Sequence, residues 1–127
     1  MTLQRQLATL AVGVQAAAAG VWWVALSARP GLRACFRPAL APDATLLAFA
    51  FPDLLLFTLV GLLAAIGLWR RRPWAWPLLL VHSGAALYAA LYCLSLAFLT
   101  GEAMAAAILM APSLVILPAA VWITRPR

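Results

Sequence analysis

Residues 53–73 read DLLLFTLVGLLAAIGLWRRRP: one acid, an unbroken apolar run, then three arginines and a proline. At ~1.5 Å per residue such a run covers most of the ~30 Å hydrocarbon layer of a bilayer. Lipid offers the backbone no hydrogen-bond partners, so a spanning segment is a helix or part of a closed barrel. The run shows no alternation of polar and apolar residues, and it reads as a helix. The arginine turn marks where the chain leaves the apolar phase and reverses.

Working outward, three more segments of this kind appear. The reading predicts helices over about 3–26, 53–69, 74–99 and 102–123, with an outer loop over 27–52 and a short interfacial piece near Thr45–Phe51. The chain is expected to be one domain, 1–127, an all-α polytopic integral membrane protein built as a four-transmembrane-helix antiparallel bundle. The first run has Arg5 ahead of it, but its apolar core exceeds the ~7–15 residues of a signal-peptide core, so it is read as a retained helix.

Composition agrees. The chain is 67% hydrophobic and 9% charged, with a mean hydropathy of +1.02. Soluble domains are roughly 45–50% apolar and about 25% charged. This chain could not cover a water-facing surface with polar groups. Lys and Asn are absent and Ala, Leu and Arg dominate, which points to a GC-rich bacterium and hence its inner (cytoplasmic) membrane. The net charge of +6 is all arginine. Those arginines sit at the ends of apolar runs, so they are read as topology signals and no nucleic-acid partner is expected.

Arg5, Arg70, Arg71, Arg72, Arg125 and Arg127 fall on one side of the predicted bundle with no acid. Arg29, Arg33 and Arg37 share the other side with Asp43, Asp53 and Glu102. The positive-inside bias therefore predicts both termini in the cytoplasm. Trp22 and Trp23 near one face, and Trp69, Trp74, Trp76 and Trp122 near the other, read as interfacial belts. Cys35 and Cys93 have no CxxC or Cys/His company, so no metal and no cofactor are expected. A disulfide between them and two free thiols are both open.

The first helix offers Gly13, Ala16, Ala17 and Gly20, and the second Gly61, Ala64, Ala65 and Gly67. Small residues at such spacings let backbones approach closely in lipid, either inside one bundle or between copies. Counting depth from the arginine turn sets Asp53 level with Tyr88, Tyr92 and Cys93 on the third helix and Met110 and Ser113 on the fourth. These are expected to converge in the outer half of the bundle. His82 and Gln15 form a second polar layer nearer the midplane. Asp53 reads either as a helix start, favoured by the helix dipole, or as a carboxyl lining a cavity. An ionisable group inside a membrane is a functional candidate by default. The candidate ligand-binding residues are thus Asp53, His82, Tyr88, Tyr92, Ser113 and Gln15. Glu102 is expected to cap the fourth helix. Pro112 and Pro118 are expected to kink it, either for packing or to open a pocket.

FPDLLLF at 51–57, LLVHSGAALYA at 79–89 and MAPSLVILPAAVW at 110–122 resemble the second to fourth helices of the EXPERA family, the emopamil-binding isomerases and the sigma-2 receptor. DoxX-like four-helix membrane proteins show a similar acid-then-basic-turn pattern. The EXPERA resemblance implies that Asp53 and His82 line a pocket for lipophilic amines and sterols, and that Asp53 acts as acid/base in isomerising an isoprenoid or other lipid. The first helix, TLAVGVQAAAAGVWWVAL at 9–26, departs from the family in carrying no acid. The leading expectation is a small membrane protein that binds a lipid-like or small hydrophobic ligand in its outer half, or serves as an accessory subunit of a larger membrane complex. The alternatives are the isomerase and a small transporter acting as a homo-oligomer.

Overall fold

In the computed structural model, which describes residues 1–126, the Thr2 hydroxyl accepts the Arg5 N–H at 3.4 Å and so caps the first helix, Leu3–Ala28. The second helical run is Asp43–Trp69, the third Ala75–Thr100 and the fourth Met104–Thr124. Each of the four is long and apolar enough to cross a membrane, as in a multi-pass membrane protein. Arg127, counted with the basic end above, lies outside the described residues.

The second run is longer than the 53–69 read from sequence. Asp43–Leu47 and Ala50–Pro52 are helical, and a seven-residue π-helical stretch, Asp53–Leu59, joins them to Val60–Trp69. Pro52 permits this because it stands in the first turn after the Ala48–Phe49 turn, where an N–H would lack a helical partner anyway. Asp53 is consequently not at a helix start, and its carboxylate caps nothing.

The turns carry recognisable chemistry. At the end of the second helix Arg72 N–H bonds to Gly67 carbonyl at 2.8 Å and Arg71 N–H to Leu68 carbonyl at 3.1 Å. This is a Schellman cap, with Arg71 at φ 55 in the left-handed position usually held by glycine. Gly101, at φ 68, closes the third helix. Glu102 does not cap the fourth helix, which starts at Met104. Its carboxylate instead accepts the Ala39 N–H at 2.5 Å and ties the long loop to this end of the bundle. Within that loop Asp43 bridges Arg33 at 3.2 Å and Arg37 at 2.7 Å.

The helices pack in a ring, each antiparallel to its neighbours. Gly13 faces Ala65, Gly20 faces Thr58, and Gly61 sits against both Ala16 and His82. The small faces of the first two helices thus meet inside the chain, except at Ala17, which stays exposed. Arg5 donates to the Thr124 carbonyl at 2.8 Å, which places a cation on the carboxyl end of the last helix. The shared core is built largely from small or slender residues such as Ala8, Val12, Ala64, Ala86 and Ala120, with Phe57, Leu79 and Leu117. The bulky apolar side chains point outward: Val21 is 70% exposed and Phe98 88%. Small inside and large apolar outside is the arrangement of helices packed for lipid.

The fourth helix is interrupted. Met104–Met110 gives way to a turn at Ala111–Pro112, and Ser113–Thr124 continues with Pro118 inside it. The break lies beside the cavities described next.

Candidate functional site

Asp53 faces the first helix. One carboxylate oxygen accepts the Trp23 indole N–H at 3.2 Å. Trp23 is 2% exposed, so it is part of the core and not an interfacial ring. It packs with Leu26 and Leu46, and Trp22, Phe36, Leu47 and Phe49 surround that cluster. Nothing in the sequence distinguished Trp23 from its neighbour Trp22. Only the turn of the helix that points it at Asp53 does so.

Asp53 stands on a wall shared by two cavities. One, about 130 Å³, lies between the first helix, the π-helical stretch and the broken fourth helix, with Gln15, Phe57, Met110 and Ser113 in its lining. The other, about 190 Å³, lies under the long loop, lined by Phe36, Phe49, Tyr92, Cys93 and Leu96 among others. Trp22, Ala106 and Met110 border both. A dry cavity of ~150 Å³ accommodates a benzene-sized molecule, so each has room for part of a small apolar ligand.

The polar groups in these walls are incompletely matched. Gln15 amide nitrogen bonds to the fully buried Ser113 hydroxyl, while the amide oxygen is buried without a partner. The Trp22 indole N–H is buried and unpartnered as well. A buried donor or acceptor left unpaired costs about 1–3 kcal/mol, and a cavity next to such groups is a place where a ligand or water restores the lost bonds.

The structure brings together Asp53, Gln15, Ser113, Tyr92, Cys93 and Met110 from the sequence reading, and adds Trp22 and Trp23. Tyr92 stacks near Phe49, ring centroids 4.9 Å apart. Tyr88 does not join them. It is 69% exposed on the bundle surface, because the tighter face of the third helix is occupied by Ala86, Ala90 and Ala97.

His82 also lies apart from both cavities and does not form a layer with Gln15, which turns toward Ser113 instead. The imidazole is fully buried, edge-on to Phe57 at 5.0 Å between centroids, with Gly61 beneath it. The carbonyls of Leu56 and Phe57 face the ring, but neither ring nitrogen reaches good hydrogen-bond geometry.

Cys35 and Cys93 are both free thiols, Cys35 exposed and Cys93 half-buried. Among the described residues no group of three His, Cys, Asp or Glu is placed to hold a metal ion. Comparison with protein-family models, curated proteins and solved structures finds no match to this chain.

Proposed function

We propose that the chain is a small membrane protein that binds a compact amphiphile, apolar in its bulk and polar at one end, in the paired cavities around Asp53. The observation that carries this reading is the shared wall. A carboxylate that, among the described residues, is held only by the Trp23 indole borders two largely apolar cavities, and the Gln15 amide oxygen and Trp22 indole N–H in their walls lack partners. The arginine distribution supports an orientation with both termini and the Arg70–Arg72 turn in the cytoplasm, the site then opening toward the far leaflet. The composition supports a bacterial inner membrane.

Binding is favoured over isomerisation of a lipid, the activity that the EXPERA resemblance would imply. Moving a double bond needs one group to deliver a proton and another to remove one. Asp53 is the only carboxylate lining the cavities among the described residues, and the second group would have to come from Tyr92 or Cys93. A role as an accessory subunit or as an oligomeric transporter has no specific feature of the chain in its favour.

Native mass spectrometry of the protein extracted in mild detergent tests the reading. A co-purifying small molecule is expected, retained by the wild type and diminished in Ala106→Phe, whose ring fills the boundary between the cavities. Asp53→Asn is expected to weaken retention less, since it keeps the shape. Recovery of ligand-free protein from both wild type and Ala106→Phe, with no small amphiphile taken up on titration, would end the proposal.

A further inference from the structure

The opposite end of the bundle carries a different feature. Between the first and second helices an open groove of about 520 Å³ runs along the surface. Its floor is Gly13, Ala17 and Ala65, and it ends at Trp69 and Arg70. Gly13 lies so near Ala65 that an added Cβ would meet it at 3.4 Å, and nothing bulky fills the channel above. Thr9, a hydroxyl in its wall, is 3% exposed and already donates to the Arg5 carbonyl at 2.7 Å. The groove is therefore apolar along its length. From Leu62 to Arg70 it spans roughly 12 Å of helix, most of one ~15 Å leaflet.

The charges are arranged along the same axis. Arg70 is exposed, and both ion pairs among the described residues are made elsewhere, by Arg33 and Arg37. Every acid in the chain, Asp43, Asp53 and Glu102, lies toward the other end. The Trp69 ring stands half out of the surface beside Arg70, as an indole does at the depth of lipid headgroups.

We propose that this groove binds an anionic phospholipid of the surrounding bilayer, one acyl chain lying on the small-residue floor and the phosphate paired with Arg70. A guanidinium matches a phosphate with two parallel hydrogen bonds. Arg70 itself disfavours the second, cationic group of a zwitterionic headgroup. A second copy of the chain fits the groove less well. In the same membrane orientation it would set two Arg70–Arg72 turns side by side with no acid at that end to relieve them. The inference rests on the membrane reading and is independent of the Asp53 cavities.

The test is native mass spectrometry of the purified full chain, titrated with equal amounts of phosphatidylglycerol and phosphatidylcholine of the same chain length. One phosphatidylglycerol is expected to be retained preferentially. Arg70→Gln should cut that preference about fivefold, which corresponds to the ~1 kcal/mol a basic residue contributes at an anionic surface. Arg72→Gln, outside the groove, should change it little. Ala17→Leu fills the floor at an exposed position and should lower retention of both lipids. Equal retention of the two lipids overturns the proposal. So does an equal effect of Arg70→Gln and Arg72→Gln, which would mean a diffuse basic surface. Unaltered retention in Ala17→Leu, or a dimer that this substitution abolishes, overturns it as well.

Discussion

Gly61 stands where the second helix crosses the first and the third, and replacing it with alanine gives the sharpest test of the packing. A Cβ at this position would lie 2.6 Å from His82 Nδ1 and 2.7 Å from the Ala16 Cβ. Neither neighbour can turn away. Ala16 has no rotatable side chain, and the His82 ring is fully buried against Phe57. To open the 2.7 Å approach to an ordinary 3.4 Å contact, two helices must part. Overpacking of this kind costs about 1–3 kcal/mol, and contact from both sides puts Gly61→Ala in the upper part of that range. Alanine returns about 1 kcal/mol through helix propensity, so a net loss of about 1–2 kcal/mol is expected. Gly84→Ala is the control: nothing lies within 4 Å of its Cβ, and only the propensity gain of about 1 kcal/mol remains. The two variants should differ by about 2–3 kcal/mol, a roughly 30- to 150-fold difference in the unfolding equilibrium. Unfolding in mixed micelles of a denaturing and a non-ionic detergent, followed by tryptophan fluorescence, reads this directly. If Gly61→Ala were as stable as Gly84→Ala, the three-helix contact at Gly61 would not exist, and the His82 environment built on it would have to be abandoned.

Three further outcomes are expected. Trp23→Phe removes the only donor to the Asp53 side chain among the described residues and should destabilise the protein by about 1–3 kcal/mol; in an Asp53→Asn background the same change should cost at least 0.5 kcal/mol less, as ~0.5–3 kcal/mol coupling between contacting residues requires, and strict additivity would show that the indole and carboxylate do not interact. Cys35 should react with a membrane-impermeant maleimide on intact cells, with Cys93 much slower; labelling of Cys35 only after permeabilisation would invert the proposed orientation. His82→Leu should leave the Leu56 carbonyl without the ring beside it and loosen the π-helical stretch, seen as faster amide exchange over residues 53–60, whereas unchanged exchange would mean the imidazole is mere filling.

Much of the architecture was legible because runs this long and apolar have few ways to satisfy their backbones. The apolar runs had to be helices, the arginine turn had to be a reversal, and the glycine–alanine faces had to meet something. Depth counting from Arg70 set Asp53 at the level of Tyr88, Tyr92, Cys93, Met110 and Ser113, and all of these but Tyr88 line its two cavities. Rotation about each helix axis was not legible in the same way. Apolar residues run all round the third helix and its few polar ones are scattered, so nothing showed that Tyr88 turns outward while Tyr92, four residues on, borders the site. Trp22 and Trp23 posed the same problem: two adjacent indoles, one of which is buried against an acid. Glu102 read as a cap because acids favour helix starts, yet the free Ala39 N–H, sixty-odd residues away in the chain, is a partner that only tertiary structure supplies.

The second helix shows why rotation escaped the sequence. An apolar stretch such as LLLFTLVGLL gives no sign of whether its backbone bonds run four or five residues back. Here Val60 donates to Leu55, five back, and not to Leu56. Leu56 carbonyl is thereby released from the ordinary ladder and faces His82. His82 can lie there because Gly61 has no side chain to exclude it. The wider turn carries Asp53 at its start and Phe57 in its middle, and both border the smaller cavity. Short π-helical stretches are rare and concentrate at functional sites, because the extra residue per turn is an insertion that packing must sustain. In this chain Gly61 under His82 sustains the stretch from a side away from the cavities, while Trp23 on Asp53 both sustains it and lines the larger cavity. A substitution that restores α-helical spacing over 53–59 would therefore be expected to move Asp53 out of that wall before it unfolded anything else.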